Sequence, residues 1–273
     1  MPSTIGGAIE VVLVSSRNPL NIGAAARAMA NFGVEHLAVV TPFDPSWRQA
    51  RSAIEAEDLL VHAREASSLA EALTDCTFVA GTGTSRYRRP DQPLLMLPEF
   101  APRGLLELAQ GGRLALVFGS EKHGLTRQEL SLCDVIVEIP THPRQPSMNL
   151  GQAVAVCLYE LTRQCALGPL AATPQTIRTQ IHSVGEAQTT EVGPSESGTG
   201  KSRPDEPRTT AGDMNRAADL ILETMQAVNY SPASMRAANE QDIRLLLHRS
   251  SLSGRDLRRT LGLFRRILWK LRH

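Results

Sequence analysis

Short runs of Val, Ile and Leu recur through the first 165 residues, and stretches of helical character separate them. The runs are IEVVLVSS (9–16), HLAVVTP (36–42), CTFVAGTGTS (76–85), RLALVFGSE (113–121) and DVIVEIPT (134–141). Most are continuous in apolar residues rather than alternating, so a strand made from them is buried on both faces. Between them, NIGAAARAMANFG (21–33) predicts a helix stopped by Gly33, and LVHAREASSLAEALTD (60–75) predicts a short strand and then a helix. RGLLELAQ (103–110) is helical, and NLGQAVAVCLYELTRQC (149–165) forms a long amphipathic helix. Strands and helices in alternation, with doubly buried strands, predict an α/β fold around a parallel sheet.

The pattern stops near residue 167. Residues 168–210 are rich in Pro, Gly, Ser and Thr and lose apolar periodicity, which reads as a flexible linker. Three helices are predicted beyond it, at 214–230, 235–250 and 253–273, with Ser253 as an N-cap. Leu257, Leu261, Phe264 and Leu268 share one face of the last helix, as a small bundle requires. The chain therefore divides into a sheet domain (1–167), a linker (168–210) and a helical domain (211–273).

Charge follows the same division. The formal net charge is +1, yet residues 236–273 carry ten Arg/Lys against three Asp/Glu, leaving a mildly acidic body. A basic helical tail suits a polyanion, or else is simply a solvated charged face. No run approaches the roughly 18 apolar residues of a membrane helix, and the N-terminal residues lack the basic start of a signal peptide. Cys76, Cys133, Cys157 and Cys165 form no C-x-x-C pair and have no histidine at zinc spacing. They read as buried thiols of a reducing cytoplasm, and no metal site is expected.

In an open parallel sheet, ligands bind at the carboxyl ends of strands. Four loops stand out there. SSRNPLNIGAAARA (15–28) opens a helix on which Ile22, Ala25, Met29 and Phe32 share a face, so Arg27 points away from it. Small neighbours, Ala24 and Ala28, allow another surface to come close, while Asn18 and Asn21 offer amide hydrogen bonds. AGTGTSRYRRP (80–90) combines a glycine–threonine strand end with Arg86, Tyr87, Arg88 and Arg89, suited to phosphates and a stacked base or to a solvated loop. It is neither a P-loop nor a dinucleotide fingerprint. LVFGSEKHGL (116–125) makes a tight turn at Gly119, Glu121 and Gly124, but Ser120 lacks the G-x-S-x-G frame of a hydrolase. IPTHPRQPSMNLGQAVAV (139–156) leaves its strand at Pro140 and enters a helix past Ser147, whose default role is an N-cap.

Three of these segments, RNPLNIGAAARAMANFGVEHLAVVTP, LALVFGSEKHGL and VEIPTHPRQPSMNLGQAVAVCLYEL, together resemble the ordered motifs of SPOUT-class RNA ribose 2′-O-methyltransferases of the TrmH superfamily. The basic tail resembles that of the TrmJ branch. The resemblance implies a sheet whose C-terminal part threads a trefoil knot, S-adenosyl-L-methionine as cofactor, a homodimer with catalytic groups from both subunits, and tRNA as substrate, at the anticodon loop (cytidine/uridine 32 type).

Matched motif by motif, it implies catalytic roles for Arg27, Ser147 and Asn149. It implies cofactor contacts at Thr82, Gly83, Thr84, Gly119, Ile139, Pro146, Ser147 and Met148, and a structural Glu121. RNA contacts are expected at Arg17 and Asn18, at Arg86, Arg88 and Arg89, and on the tail at Arg258, Arg259, Arg265 and Arg266. Arginine is normally protonated, so stabilising the developing alkoxide is the favoured role for Arg27, with general-base action left open. Ribosomal RNA is the competing substrate, and a non-catalytic RNA-binding protein of the same fold is the competing class. A nicotinamide oxidoreductase is excluded, because SSRNPLNIG after the first strand carries no glycine fingerprint.

Overall fold

The computed structural model describes residues 5–84, 91–166, 208–230, 232–250 and 252–273. Arg86, Arg88 and Arg89, and residues 168–207 of the expected linker, lie outside them.

Seven strands form one parallel sheet: β1 (Ile9–Val14), β2 (His36–Val40), β3 (Arg64–Ala66), β4 (Phe78–Thr82), β5 (Leu94–Met96), β6 (Leu114–Phe118) and β7 (Val135–Glu138). Their order across the sheet is β3-β2-β1-β6-β4-β7-β5, with every pairing parallel. β1 and β6 lie in the middle and are buried throughout. Two apolar layers cover the faces. One gathers alternate residues of β1 with α1 (Pro19–Asn31), α4 (Leu97–Ala109) and α6 (Leu150–Ala166). The other faces α3 (Leu69–Ala72) and α5 (Arg127–Leu130). This is the two-sided burial that the unbroken apolar runs require.

Local departures have local causes. The stretch 60–75 holds the expected short strand, β3, and then helix α3, but its first residues finish α2 (Glu57–His62), where Leu60 is buried and its neighbour Val61 is exposed. Helix α4 starts at Leu97, six residues before the expected Arg103, because Pro98 sits in the first turn, where a missing N–H costs nothing, and the helix tolerates Pro102. β5 is a three-residue edge strand too short for a pattern to show. α1 ends as expected, at Gly33 with φ of 66°.

The remaining helices are α7 (Ala211–Ala227), α8 (Arg236–Ser250) and α9 (Gly254–Arg272). They share a small core of Ala217, Ala218, Leu247 and Leu257, and Ser253 caps α9 by accepting from Asp256 N–H at 3.2 Å. The cluster docks on the body. Ala211 and Gly212 N–H donate to the carbonyls of Cys76 and Thr74, and His248 Nδ1 lies 2.7 Å from Asp134 Oδ1. Arg208 pairs with Glu107 at 2.7 Å. Among the described residues no helix is long and apolar enough to cross a membrane.

Candidate active site

The carboxyl ends of β4, β6 and β7 open into a cavity of about 410 Å3. Thr82, Gly83, Thr84, Gly119, Ile139, Pro146, Ser147 and Met148 all line it, so three loops far apart in sequence meet at one hollow. Apolar walls come from Phe118, Leu125, Ile136 and Leu150, and carboxylates from Glu121 and Glu138. A larger cavity of about 790 Å3 lies between the helical cluster and the body, beside Thr77 and Asp134 at the amino ends of β4 and β7. That is the wrong end of the strands for the ligand position that parallel sheets favour.

Backbone geometry shapes the hollow. A Cβ on Gly119 would stand 2.1 Å from the carbonyl carbon of Gly124, so only glycine lets the 119–124 turn close. That turn is held by Gly124 N–H donating to Ser120 O at 2.8 Å, with Gly124 at φ of 64°. Gly83 differs: an added Cβ would meet nothing nearer than Ile136 Cγ2 at 3.6 Å. The threonine hydroxyls, expected to face a ligand, bond within the protein. Thr82 donates to Val117 O at 3.0 Å and Thr84 to Glu138 at 3.1 Å, fastening β4 to β6 and β7.

Glu121 ties the first loop to the third. Its Oε1 accepts from Ser16 Oγ at 2.9 Å, Asn21 Nδ2 at 2.8 Å and Asn18 N–H at 3.3 Å, and its Oε2 from Arg17 N–H at 3.0 Å. Partial burial raises the pKa of this carboxyl, but the bonds from Asn21, Arg17 and Ser16 outweigh it and hold it below the ordinary glutamate range. Asn21 continues the chain, accepting from Asn149 Nδ2 at 2.9 Å. Asn149 Oδ1 in turn accepts from Gly151 and Gln152 N–H. Asn149, not Ser147, therefore caps α6, and Ser147 stands exposed on the cavity rim. Asn18 likewise caps α1 through Leu20 N–H, so its side-chain oxygen is engaged within the chain.

Arg27 is exposed on α1, makes no hydrogen bond or ion pair with the described residues, and is not among the residues lining the cavity of its own chain. The small residues beside it do not leave a bare surface. A Cβ on Gly151 would come within 2.7 Å of Ala24 Cβ, so the close approach expected at these alanines is made by α6 of the same chain. Ala28 is buried. Arg17 stacks its guanidinium over Phe43 at 4.8 Å. Arg258, Arg259, Arg265 and Arg266 are exposed on α9, away from the cavity lining. Sequence reasoning missed Glu138 and the walls at Leu125 and Ile136. The position of Glu138 at the carboxyl end of a parallel strand was the available signal for it.

The model of the SpoU rRNA Methylase family matches residues 8–159. The chain belongs to that family. The family's segment runs from the start of β1 to α6 and holds the whole cavity. Over 154 residues the chain is 45% identical to the tRNA (cytidine/uridine/adenosine-2′-O-)-methyltransferase TrmJ of Pseudomonas aeruginosa, a match covering 56% of this chain and 60% of that protein. It is 38% identical over 156 residues to the tRNA (cytidine-2′-O-)-methyltransferase TrmJ of Methanocaldococcus jannaschii, covering 56% of this chain and 66% of that one. The matched stretch thus spans about two thirds or less of these relatives. The fold also resembles the crystal structure of TrmJ from Z. mobilis ZM4, with a TM-score of 0.71, 25% identity, and coverage of 94% of this chain and 98% of that one. This similarity extends into the helical cluster.

Proposed function

We propose that this protein transfers a methyl group from S-adenosyl-L-methionine to a ribose 2′-hydroxyl of tRNA, in the cytoplasm, as a homodimer. One observation carries the reading: residues from the second and third family motifs and from the strand end at 82–84 line a single cavity, and the hydrogen-bonded chain Glu121–Asn21–Asn149 joins that cavity to the helix of the first motif, which bears Arg27. The names of the Pseudomonas and Methanocaldococcus relatives favour tRNA over ribosomal RNA. The anticodon loop, cytidine or uridine 32, is the position we assign.

The cavity suits the cofactor. Its volume of about 410 Å3 falls in the range of small-molecule sites. Apolar walls, free space at Gly83 and the carboxylates of Glu121 and Glu138 match a ligand that is part purine, part cation. We assign Thr82, Gly83, Thr84, Gly119, Ile139, Pro146, Ser147 and Met148 to holding it. When bound, the cofactor supplies a methyl group activated by its positive sulfur.

This chain's residues do the rest. The incoming ribose oxygen must lose its proton as the new carbon–oxygen bond forms. A guanidinium stays protonated at neutral pH, so Arg27 stabilises the alkoxide as it develops, and an RNA phosphate oxygen takes the proton. Ser147, on the rim, positions the ribose, and Asn149 fixes the start of α6 beside it. Arg27 serves the cavity of the second copy, which accounts for its absence from the lining of its own. The region from β6 to α6 threads as a trefoil knot, with 1–167 as the catalytic domain, 168–210 as linker and 211–273 as the RNA-holding helical domain. Arg17 and Asn18, with Arg86, Arg88 and Arg89, line the RNA path.

The test is Arg27→Ala. Because Arg27 is exposed and has no partner among the described residues, folding and cofactor binding by calorimetry stay unchanged while methyl transfer to tRNA falls at least about 100-fold, the loss typical of one transition-state donor. Full transfer by the variant would remove the proposed role. A wild-type chain that binds no S-adenosyl-L-methionine would instead favour a non-catalytic RNA-binding protein.

A further inference from the structure

Helix α9 has two faces of opposite chemistry. Leu257 and Leu268 are buried against the helical cluster, and Leu261 and Phe264 are half-buried beside them. To one flank of this face, at about 100° per residue, Arg255, Arg258, Gly262, Arg265, Arg266 and Trp269 fall within one arc of roughly 100°. All six are exposed. Arg255, Arg265 and Arg266 make no ion pair with the described residues, whereas Arg272, at the edge of the inner face, pairs with Glu223 and pins the helix to α7. Trp269 is 60% exposed in the middle of this basic arc, and the ring of His273 stacks on it at 5.2 Å and 20°. Gly262 lies two turns earlier on the same line, where an added Cβ would meet nothing within 4 Å.

An exposed indole is an expensive thing to leave in water without a partner. Its place selects the partner. On a membrane-binding amphipathic helix, the tryptophan joins the leucines on the apolar face; here it stands about 110° round from the centre of the buried face, among arginines. A second copy of this face would bring like charges together. Cations flanking an aromatic ring, by contrast, match a single-stranded nucleic acid, with phosphates on the arginines and a base on the ring.

We propose that Trp269 is a stacking platform for an unpaired base of the RNA substrate, with Arg255, Arg265 and Arg266 as the phosphate rail that leads to it and His273 bracing the indole from one side. The proposal rests on the reading of the substrate as tRNA and adds to it a contact that prefers looped-out nucleotides to paired ones.

The chain has two tryptophans, and Trp47 is fully buried, so fluorescence separates them. Full-length protein is titrated with oligouridylate, with a fully paired RNA duplex and with phosphatidylglycerol vesicles. The expected result is quenching of the red-shifted emission by the single strand, little quenching by the duplex, and no blue shift with vesicles. Trp269→Ala weakens oligouridylate binding, read by anisotropy of labelled RNA, by roughly 5- to 150-fold. Trp269→Phe keeps most of the affinity. Equal binding by Trp269→Ala, equal quenching by duplex, or a vesicle-induced blue shift would overturn the proposal. Methyl transfer is assayed in parallel. Trp269→Ala that methylates tRNA with an unchanged KM sinks the stacking role alone, while intact quenching without any methyl transfer by the wild type sinks the catalytic reading alone.

Discussion

Replacing Glu121 by Ala tests whether the first and third loops are held as one unit. The substitution removes four acceptor contacts, from Ser16 Oγ, Arg17 N–H, Asn18 N–H and Asn21 Nδ2. Bonds to a charged group can exceed 1.5 kcal/mol, but this side chain is open to solvent and water replaces part of each. At about 0.5–1 kcal/mol apiece, the loss is about 2–4 kcal/mol. For a chain of this size that lowers Tm by roughly 5–15 °C. Glu121→Gln is milder: its oxygen keeps the three contacts now made by Oε1, while its amide opposes Arg17 N–H. The carboxyl's pKa is depressed in the fold, so its contribution is present in full above the ordinary glutamate value, near pH 4.3, and is lost as pH falls through the lower folded value. The stability gap between wild type and Glu121→Gln is therefore constant around neutrality and closes below about pH 4.3. Scanning calorimetry across pH 3 to 7 reads both effects. A Glu121→Ala protein that melts with the wild type, or a gap to Glu121→Gln that ignores acid, would refute the reasoning.

Two glycines of the cavity give opposite outcomes. Gly83→Ala fits the fold, so Tm holds within about 1 °C while affinity for S-adenosyl-L-methionine drops at least tenfold by calorimetry, because the methyl group occupies the hollow. Gly119→Ala collides with the backbone of Gly124 and Leu125 and loses at least about 2 kcal/mol of stability in urea denaturation. The thiols give a third check. Burial, helped by the Glu10 carboxylate, pushes Cys76 up to about 12; burial alone pushes Cys157 up to about 12; and burial with Asp134 and Glu129 raises Cys133 further. In a Cys165→Ser protein, which removes the one thiol whose side chain lies outside the described residues, these three do not react with a disulfide reagent at neutral pH and become titratable only on unfolding. Finally, if Arg27 serves the other copy's cavity, mixing Arg27→Ala chains with Ser147→Ala chains restores about a quarter of wild-type methyl transfer through mixed dimers, each with one intact site. No recovery after subunit exchange would place both groups in one chain's site.

Much of this architecture is legible in the amino-acid sequence. Unbroken apolar runs can be buried only between two helical layers, so the parallel sheet followed from β1, β2, β4, β6 and β7. The edges were not legible. β5 is three residues long between prolines, and α2 takes over Leu59, Leu60 and Val61, which a strand would hold as readily. Within the site, motif spacing named residues that the fold gathers at one cavity, yet their local duties were hidden. Ser147 and Asn149 are both natural capping residues, and nothing in their spacing says that α6 starts after the second. Thr82 and Thr84 carry hydroxyls that suit a ligand, but strand neighbours claim them, since a half-buried hydroxyl bonds to the acceptor beside it, the Val117 carbonyl for Thr82 and the Glu138 carboxylate for Thr84.

The contrast between Asn21 and Arg27, on the same helix, bears most directly on function. Asn21 is bonded on both sides, to Glu121 and to Asn149, so the first turn of α1 is fixed against the cavity wall. Ala24 then presses on Gly151 with no room for a larger side chain, fixing the second turn against α6. A helix held this firmly presents its next residues in one direction only. At 1.5 Å per residue, Arg27 stands about 9 Å further along the axis than Asn21, exposed and with no ion-pair partner among the described residues. A long, charged side chain gives up rotamer freedom only when something binds it, and no group among the described residues does. The rigid scaffold beneath Arg27 and its exposed position are two parts of one arrangement: the chain builds a pocket and, separately, aims a cation outward, and if the proposed reaction uses both, a second copy of the chain is what would bring them together.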